Sequence, residues 1–160
     1  MSTSAENLQA ALQRYLAAID GLRRQIALQP DNAELHFRLG TLLIDLVPPT
    51  GAREALERAI ALAPRYAPAH HNLGILLSRL HQPHEAQPAF ERAIQLDPTV
   101  PEYYLNLGES LRQQERFGEA IARFDEALRL NPQLHAARCS RGLAWLQQGE
   151  FRQGWADYEA

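Results

Sequence analysis

Apolar positions along this chain recur at the three- and four-residue spacing of a single helix face, and they do so in blocks. Near the N-terminus Leu8, Leu12, Tyr15, Leu16, Ile19, Leu22 and Ile26 form one continuous stripe, which predicts a long helix from about residue 4 to 29. Thr3 followed by Glu6 has the spacing of a capping box to start it. A degenerate repeat bent near Gly21 is the other reading of this segment. Beyond Pro30 the stripes shorten and come in pairs. First helices are predicted at about 33–46, 67–80, 101–114 and 135–148, and second helices at about 51–63, 84–96, 118–130 and 152–160. Between the partners lie Pro48-Pro49-Thr50-Gly51, His81-Gln82-Pro83, Arg116-Phe117-Gly118 and Gln148-Gly149-Glu150, which read as turns. Pro88 falls inside a second helix, which predicts a local kink or a later helix start.

The blocks repeat. Gly40, Gly74, Gly108 and Gly142 are 34 residues apart, and Pro30, Pro64, Pro98 and Pro132 keep the same interval. Aligned on the glycines, His36 precedes Leu39-Gly40, His70 precedes Leu73-Gly74, and Tyr104 precedes Leu107-Gly108. Leu43, Leu77, Leu111 and Trp145 follow, and then Ala52 with Leu56, Ala86 with Phe90, and Ala120 with Phe124. Glycine within a helix costs about 1 kcal/mol relative to alanine. Repeating that cost in register marks a place where a neighbouring helix comes close. The alanines are the small partners on the second helix, with larger residues filling the space beside them. The prolines disfavour helix at the preceding residue and end each unit. Such a helix pair cannot bury its apolar face alone and needs stacked neighbours.

This pattern resembles the tetratricopeptide repeat, W-x2-L-G-x2-Y, then A-x3-F, then P. The resemblance covers three complete copies over residues 33–132, and a fourth begins at His135. It implies an all-α, right-handed α-solenoid: an N-terminal capping helix or degenerate repeat at 1–30, repeats at 33–66, 67–100 and 101–134, and a partial repeat at 135–160. It also implies a non-catalytic module that binds an extended peptide or partner helix in a concave groove lined by the first helices. Helical geometry puts Glu34, Phe37, Thr41 and Ile44 on that side in the first copy, and His71, Ile75, Ser78 and Arg79 in the second. Glu102, Leu105, Glu109 and Arg112 follow in the third, and Ala136, Cys139, Leu143 and Leu146 in the fourth.

Asn72 and Asn106 occupy equivalent places, and an amide can pair with a peptide backbone in two directions. The pair resembles the asparagine ladder of O-linked N-acetylglucosamine transferases and one part of the carboxylate clamp of chaperone-binding members. Arg38 and Ser140 replace asparagine in the outer copies, and the clamp's basic residues are absent, which argues against an acidic chaperone tail as ligand. Asn72 and Asn106 are thus expected to hold backbone, unless they bridge neighbouring helices instead. Phe37, Ile75 and Leu105 are expected to form apolar pockets, with His71 beside them. Glu109, Arg79 and Arg112 are expected to set charge preference. The segment Gly149-Glu150-Phe151, Gly154-Trp155, Tyr158-Glu159 also resembles the last repeat of bacterial proteins whose array precedes a glycosyltransferase-like domain. A substrate-recruiting region of such an enzyme is therefore one alternative. A scaffold assembling into homo-oligomers through its terminal helices is another.

Composition narrows the field further. The 160 residues are 46% hydrophobic and 22% charged, an ordinary globular balance. Sixteen Lys and Arg against nineteen Asp and Glu give a net charge of −3, without the basic footprint of nucleic-acid binding. No apolar run suits a membrane span, and the N-terminus lacks the pattern of a secretory signal, so a cytoplasmic protein is expected. The single Cys139 cannot close an intrachain disulfide, and on a half-buried helix it reads as a small apolar residue rather than a nucleophile. His70-His71 and the His81, His84 pair lack further ligands, so neither a metal nor another cofactor is expected. Glu54 with Arg58 and Glu119 with Arg123 have the spacing of supporting pairs on outer helix faces.

Overall fold

The computed structural model describes residues 4–159, so Thr3, and with it the expected capping box, lies outside the described residues. These residues form nine helices: α1 (Ser4–Leu28), α2 (Ala33–Ile44), α3 (Ala52–Leu62), α4 (Ala67–Arg79), α5 (Pro83–Leu96), α6 (Pro101–Gln113), α7 (Phe117–Leu130), α8 (His135–Gln148) and α9 (Phe151–Glu159). The fold class is the expected all-α solenoid of helix pairs. The chain divides between Pro64 and Arg65 into two compact units.

In the first unit α1 runs unbroken through Gly21. Its apolar stripe is used only in part. Ile19 is 3% exposed, whereas Leu8 is 73% and Leu12 51% exposed, so burial is confined to its C-terminal half. The Tyr15 hydroxyl donates to the carbonyl of Leu42, near the α2 C-terminus where helix carbonyls lack intrahelical donors. Asn32 caps α2 by accepting from the Leu35 amide at 3.3 Å. Leu39, Leu43, Leu56 and Ala59 fill the core. Ile44, expected on the groove side, belongs to this core and is buried. Arg58 pairs with Asp31 at 2.7 Å rather than with Glu54.

In the second unit three antiparallel hairpins, α4–α5, α6–α7 and α8–α9, pack in succession. Each turn closes in one way. Gln82 donates to the Leu77 carbonyl, Arg116 to Leu111 and Glu150 to Trp145, at 2.9–3.0 Å. This six-to-one hydrogen bond needs a left-handed residue just before its donor. His81 (φ 58°), Glu115 (φ 60°) and Gly149 (φ 90°) supply it.

The repeated glycines face the large residue of their own hairpin. A Cβ on Gly74 would lie 2.5 Å from Cε1 of Phe90, and one on Gly108 2.5 Å from Cε1 of Phe124. In the first unit Gly40 meets the Leu56 side chain in the same manner. Phe90 and Phe124 are almost wholly buried, and truncating such a residue costs about 3–5 kcal/mol. The fourth hairpin departs from this. Gly154 stands where Ala120 does, and a Cβ on it would come 3.0 Å from the Gly142 carbonyl oxygen, so α8 and α9 approach backbone to backbone. Tyr158, in the place of Phe124, is exposed.

Three local expectations are corrected. α5 starts at Pro83, one residue before the estimate rather than later, and carries Pro88 inside it. Proline is well accommodated at a helix start, which sets the boundary there. Phe117 and Gly118 belong to α7 rather than to the turn, which Arg116 ends. Glu119 pairs directly with Arg116 at 2.6 Å, and Arg123 acts on it only as a more distant charge.

Candidate functional site

The second unit holds a pocket of about 270 Å³ lined by Ile75, Ser78, Arg79, Phe90, Asn106, Glu109 and Gln113. α4 and α6 place these residues, because positions three and four apart share one helix face. Ile75 and Leu105 are half-buried and lean on the core cluster around Phe90 and Phe124. Ser78 Oγ is buried without a hydrogen-bond partner among the described residues.

His71 is held from several sides. Its ring centroid lies 4.5 Å from that of Tyr103 and 5.7 Å from that of Phe90. Burial lowers its pKa to about 4, a hydrogen bond with Asn72 acting weakly the other way. The ring is therefore neutral at neutral pH, and its Nε2 accepts from the Asn106 Nδ2 amide at 2.7 Å. That contact fixes the Asn106 side chain and leaves its Oδ1 without a partner among the described residues.

Two charged residues expected on the groove side are paired with each other. Arg112 donates to Glu109 at 2.8 Å through Nη2 and to Gln147 of α8 at 3.1 Å through Nη1. Arg79 is exposed at the end of α4. In the fourth repeat Cys139 is an exposed free thiol. Nearby, Arg141 ties three helices together. It meets Asp157 of α9 in a bidentate pair at 2.5 and 2.7 Å and Asp125 of α7 at 2.6 Å, which holds its pKa further above the ordinary arginine range. No group of three His, Cys, Asp or Glu among the described residues is placed to hold a metal ion. No helix among the described residues is long and apolar enough to cross a membrane.

Phe37 lies in the first unit and lines a different pocket of about 380 Å³, with Ala18, Gly21, Leu22 and Gln25 of α1 and Arg38, Thr41 and Leu42 of α2. Sequence reasoning singled out Phe37 there but missed Gly21 and Arg38. The available signal was the departure itself: Arg38 stands in the register position of Asn72 and Asn106. Ser78 was placed on the groove side, but its unmet hydroxyl had no sequence signal.

The tetratricopeptide repeat family model matches residues 71–135 and 105–153, together more than half of the chain. The chain belongs to the tetratricopeptide repeat family. A comparison with curated proteins gives no match. Among solved structures, a crystal structure of MamA superimposes with a TM-score of 0.85 at 22% identity, covering 99% of this chain and 92% of that one. MamA from Desulfovibrio magneticus RS-1 gives 0.85 at 19% identity, over 94% of this chain and 86% of that one. YrrB, described as a TPR protein with an unusual peptide-binding site, gives 0.77 at 19% identity, over 96% and 79% of the respective chains. At these identities the likeness is one of fold. As a tetratricopeptide repeat chain, this protein is a protein-interaction module.

Proposed function

We propose that the second unit binds an extended peptide along its first helices, without catalysis. The observation that carries this reading is the pocket on α4 and α6 where Asn106, held by His71, lies with Ile75 and Glu109. Asn106 Oδ1, oriented by His71, accepts a backbone N–H of the ligand, and Asn72 supports the same ring. Ile75 and Leu105 give apolar contact. Arg79, Glu109 and Arg112 set the charge preference at the rim, and Phe37 serves the first unit's pocket in the same way.

The test is selection from a random peptide library on the wild-type chain, followed by affinity measurement on Asn106→Ala with Asn72→Ala. Binding is expected to weaken by about 1–3 kcal/mol at unchanged helicity. Full affinity in the double variant, or an empty selection, would sink the reading.

A second reading rests on the exposed apolar residues of the terminal helices. Leu8, Leu12 and Leu16 lie uncovered on α1, as do Phe151, Trp155 and Tyr158 on α9. A contact between such unlike surfaces of two copies is heterologous and can propagate. Sedimentation velocity across a concentration series decides this. A constant monomer at high concentration would exclude it.

A further inference from the structure

Where the second unit's pocket has Arg79 and Glu109 in its lining, the first unit's pocket has a single charged residue. Ala18, Gly21, Leu22, Phe37 and Leu42 make its walls mainly apolar. Gly21 opens it, since a Cβ at that position would meet nothing within 4 Å. The Thr41 hydroxyl is already used, donating to the Phe37 carbonyl at 2.9 Å. One charged side chain lines the cavity, that of Arg38. It is exposed, and it makes no ion pair or hydrogen bond among the described residues. The other cations near candidate surfaces are committed: Arg112 to Glu109, Arg141 to Asp157, Arg58 to Asp31.

We infer that this pocket receives an apolar side chain of a peptide that carries a carboxylate within a residue or two of it, the carboxylate pairing with Arg38. An apolar cavity of about 380 Å³ has room for a leucine- or phenylalanine-sized group. A guanidinium without an internal partner supplies a planar donor fork suited to a carboxylate. Charge complementarity thus selects an acidic-apolar segment over a basic or purely apolar one. The assignment rests on the peptide-binding reading above but concerns a separate pocket, so the two fail separately.

The experiment is panning of a random dodecapeptide library against the wild-type chain, then fluorescence anisotropy of the selected peptides on four variants. Arg38→Glu reverses the rim charge, and Arg38→Lys keeps it. Gly21→Leu fills the cavity from a helix position with free space, and Asn106→Ala reports on the other pocket. Circular dichroism and melting temperature establish that each variant is folded. The wild type is expected to select peptides with Asp or Glu beside a large apolar residue. Their affinity should fall about tenfold or more in Arg38→Glu and in Gly21→Leu, and largely persist in Arg38→Lys. Peptides without acidic enrichment, or with equal affinity for Arg38→Glu, overturn this inference. If those peptides still depend on Asn106, the groove reading stands without it. An empty selection overturns both.

Discussion

The Asn106 amide donates to Nε2 of His71 from 35 residues away, joining two consecutive repeats through a ring that must be neutral to accept. Protonation of His71 would break that acceptor role and place a charge between Tyr103 and Phe90.

This gives a stability profile with a definite sign. The folded pKa of about 4 lies below the ordinary 6.5, so the unfolded chain binds the proton more readily. The full contribution of neutral His71 is present above about pH 6.5, declines as pH falls toward about 4, and changes no further below. Its size is on the order of 3 kcal/mol. Urea unfolding of wild type and His71→Gln from pH 3.5 to 8 should show a difference that grows with pH across that window. A flat difference would contradict the burial of the ring.

Substituting alanine for glycine should act oppositely at two sites. Gly108→Ala gains about 1 kcal/mol of helix propensity but forces a Cβ to 2.5 Å from Phe124, and overpacking of that kind costs about 1–3 kcal/mol. Net destabilisation is expected. Gly118→Ala meets no atom within 4 Å and should stabilise by up to about 1 kcal/mol. Paired thermal melts test the contrast, which fails if both variants shift in the same direction.

The hairpin turns offer a gain of the opposite origin. His81 and Glu115 hold left-handed backbone that Gly149 adopts without a Cβ penalty. His81→Gly and Glu115→Gly should each raise stability by about 0.5–1 kcal/mol, while Gly149→Ala lowers it by a similar amount. Denaturant midpoints with unchanged slopes would establish this.

Loss of Arg141 should loosen α9 first. Arg141→Leu leaves Asp157 and Asp125 without their shared cation, at a cost of about 1–3 kcal/mol. Amide hydrogen exchange is the sharper readout: acceleration confined to α9 and the adjoining end of α8 is expected. Uniform acceleration across the unit would instead assign the network to the core.

Changing Leu8, Leu12 and Leu16 together to Gln should leave the melting temperature within a degree or two, since these side chains are exposed. If α1 mediates association, the same variant sediments as a monomer where the wild type does not.

The parts of this molecule legible in the sequence are those where a backbone requirement restricts the residue type. Gly74 and Gly108 are needed beneath Phe90 and Phe124, and proline marks the start of α4, α5 and α6, so repeat period and helix bounds could be read within about two residues. The α1 stripe gave the helix correctly, but helical periodicity reports that a face is apolar, not that anything covers it. Gly118 reads equally as the end of a turn or the start of a helix, because glycine within a helix and glycine beyond one look alike in sequence. Polar partnerships were the least legible. Arg58 reaches Asp31, and Asn106 reaches His71, through the stacking offset between elements rather than through spacing on one helix.

The contact between each glycine and its ring or leucine lies inside one hairpin, 16 residues apart at Gly40–Leu56, Gly74–Phe90 and Gly108–Phe124. A stretch of 34 residues copied or excised as a block would carry its own lock with it, and the flanking copies would meet an equivalent surface. Duplication within the coding sequence is therefore a conservative change for this chain whenever it respects that length. A length change between a glycine and its partner within one hairpin would instead take the two out of register. The array can lengthen or shorten by inheritance in whole repeats.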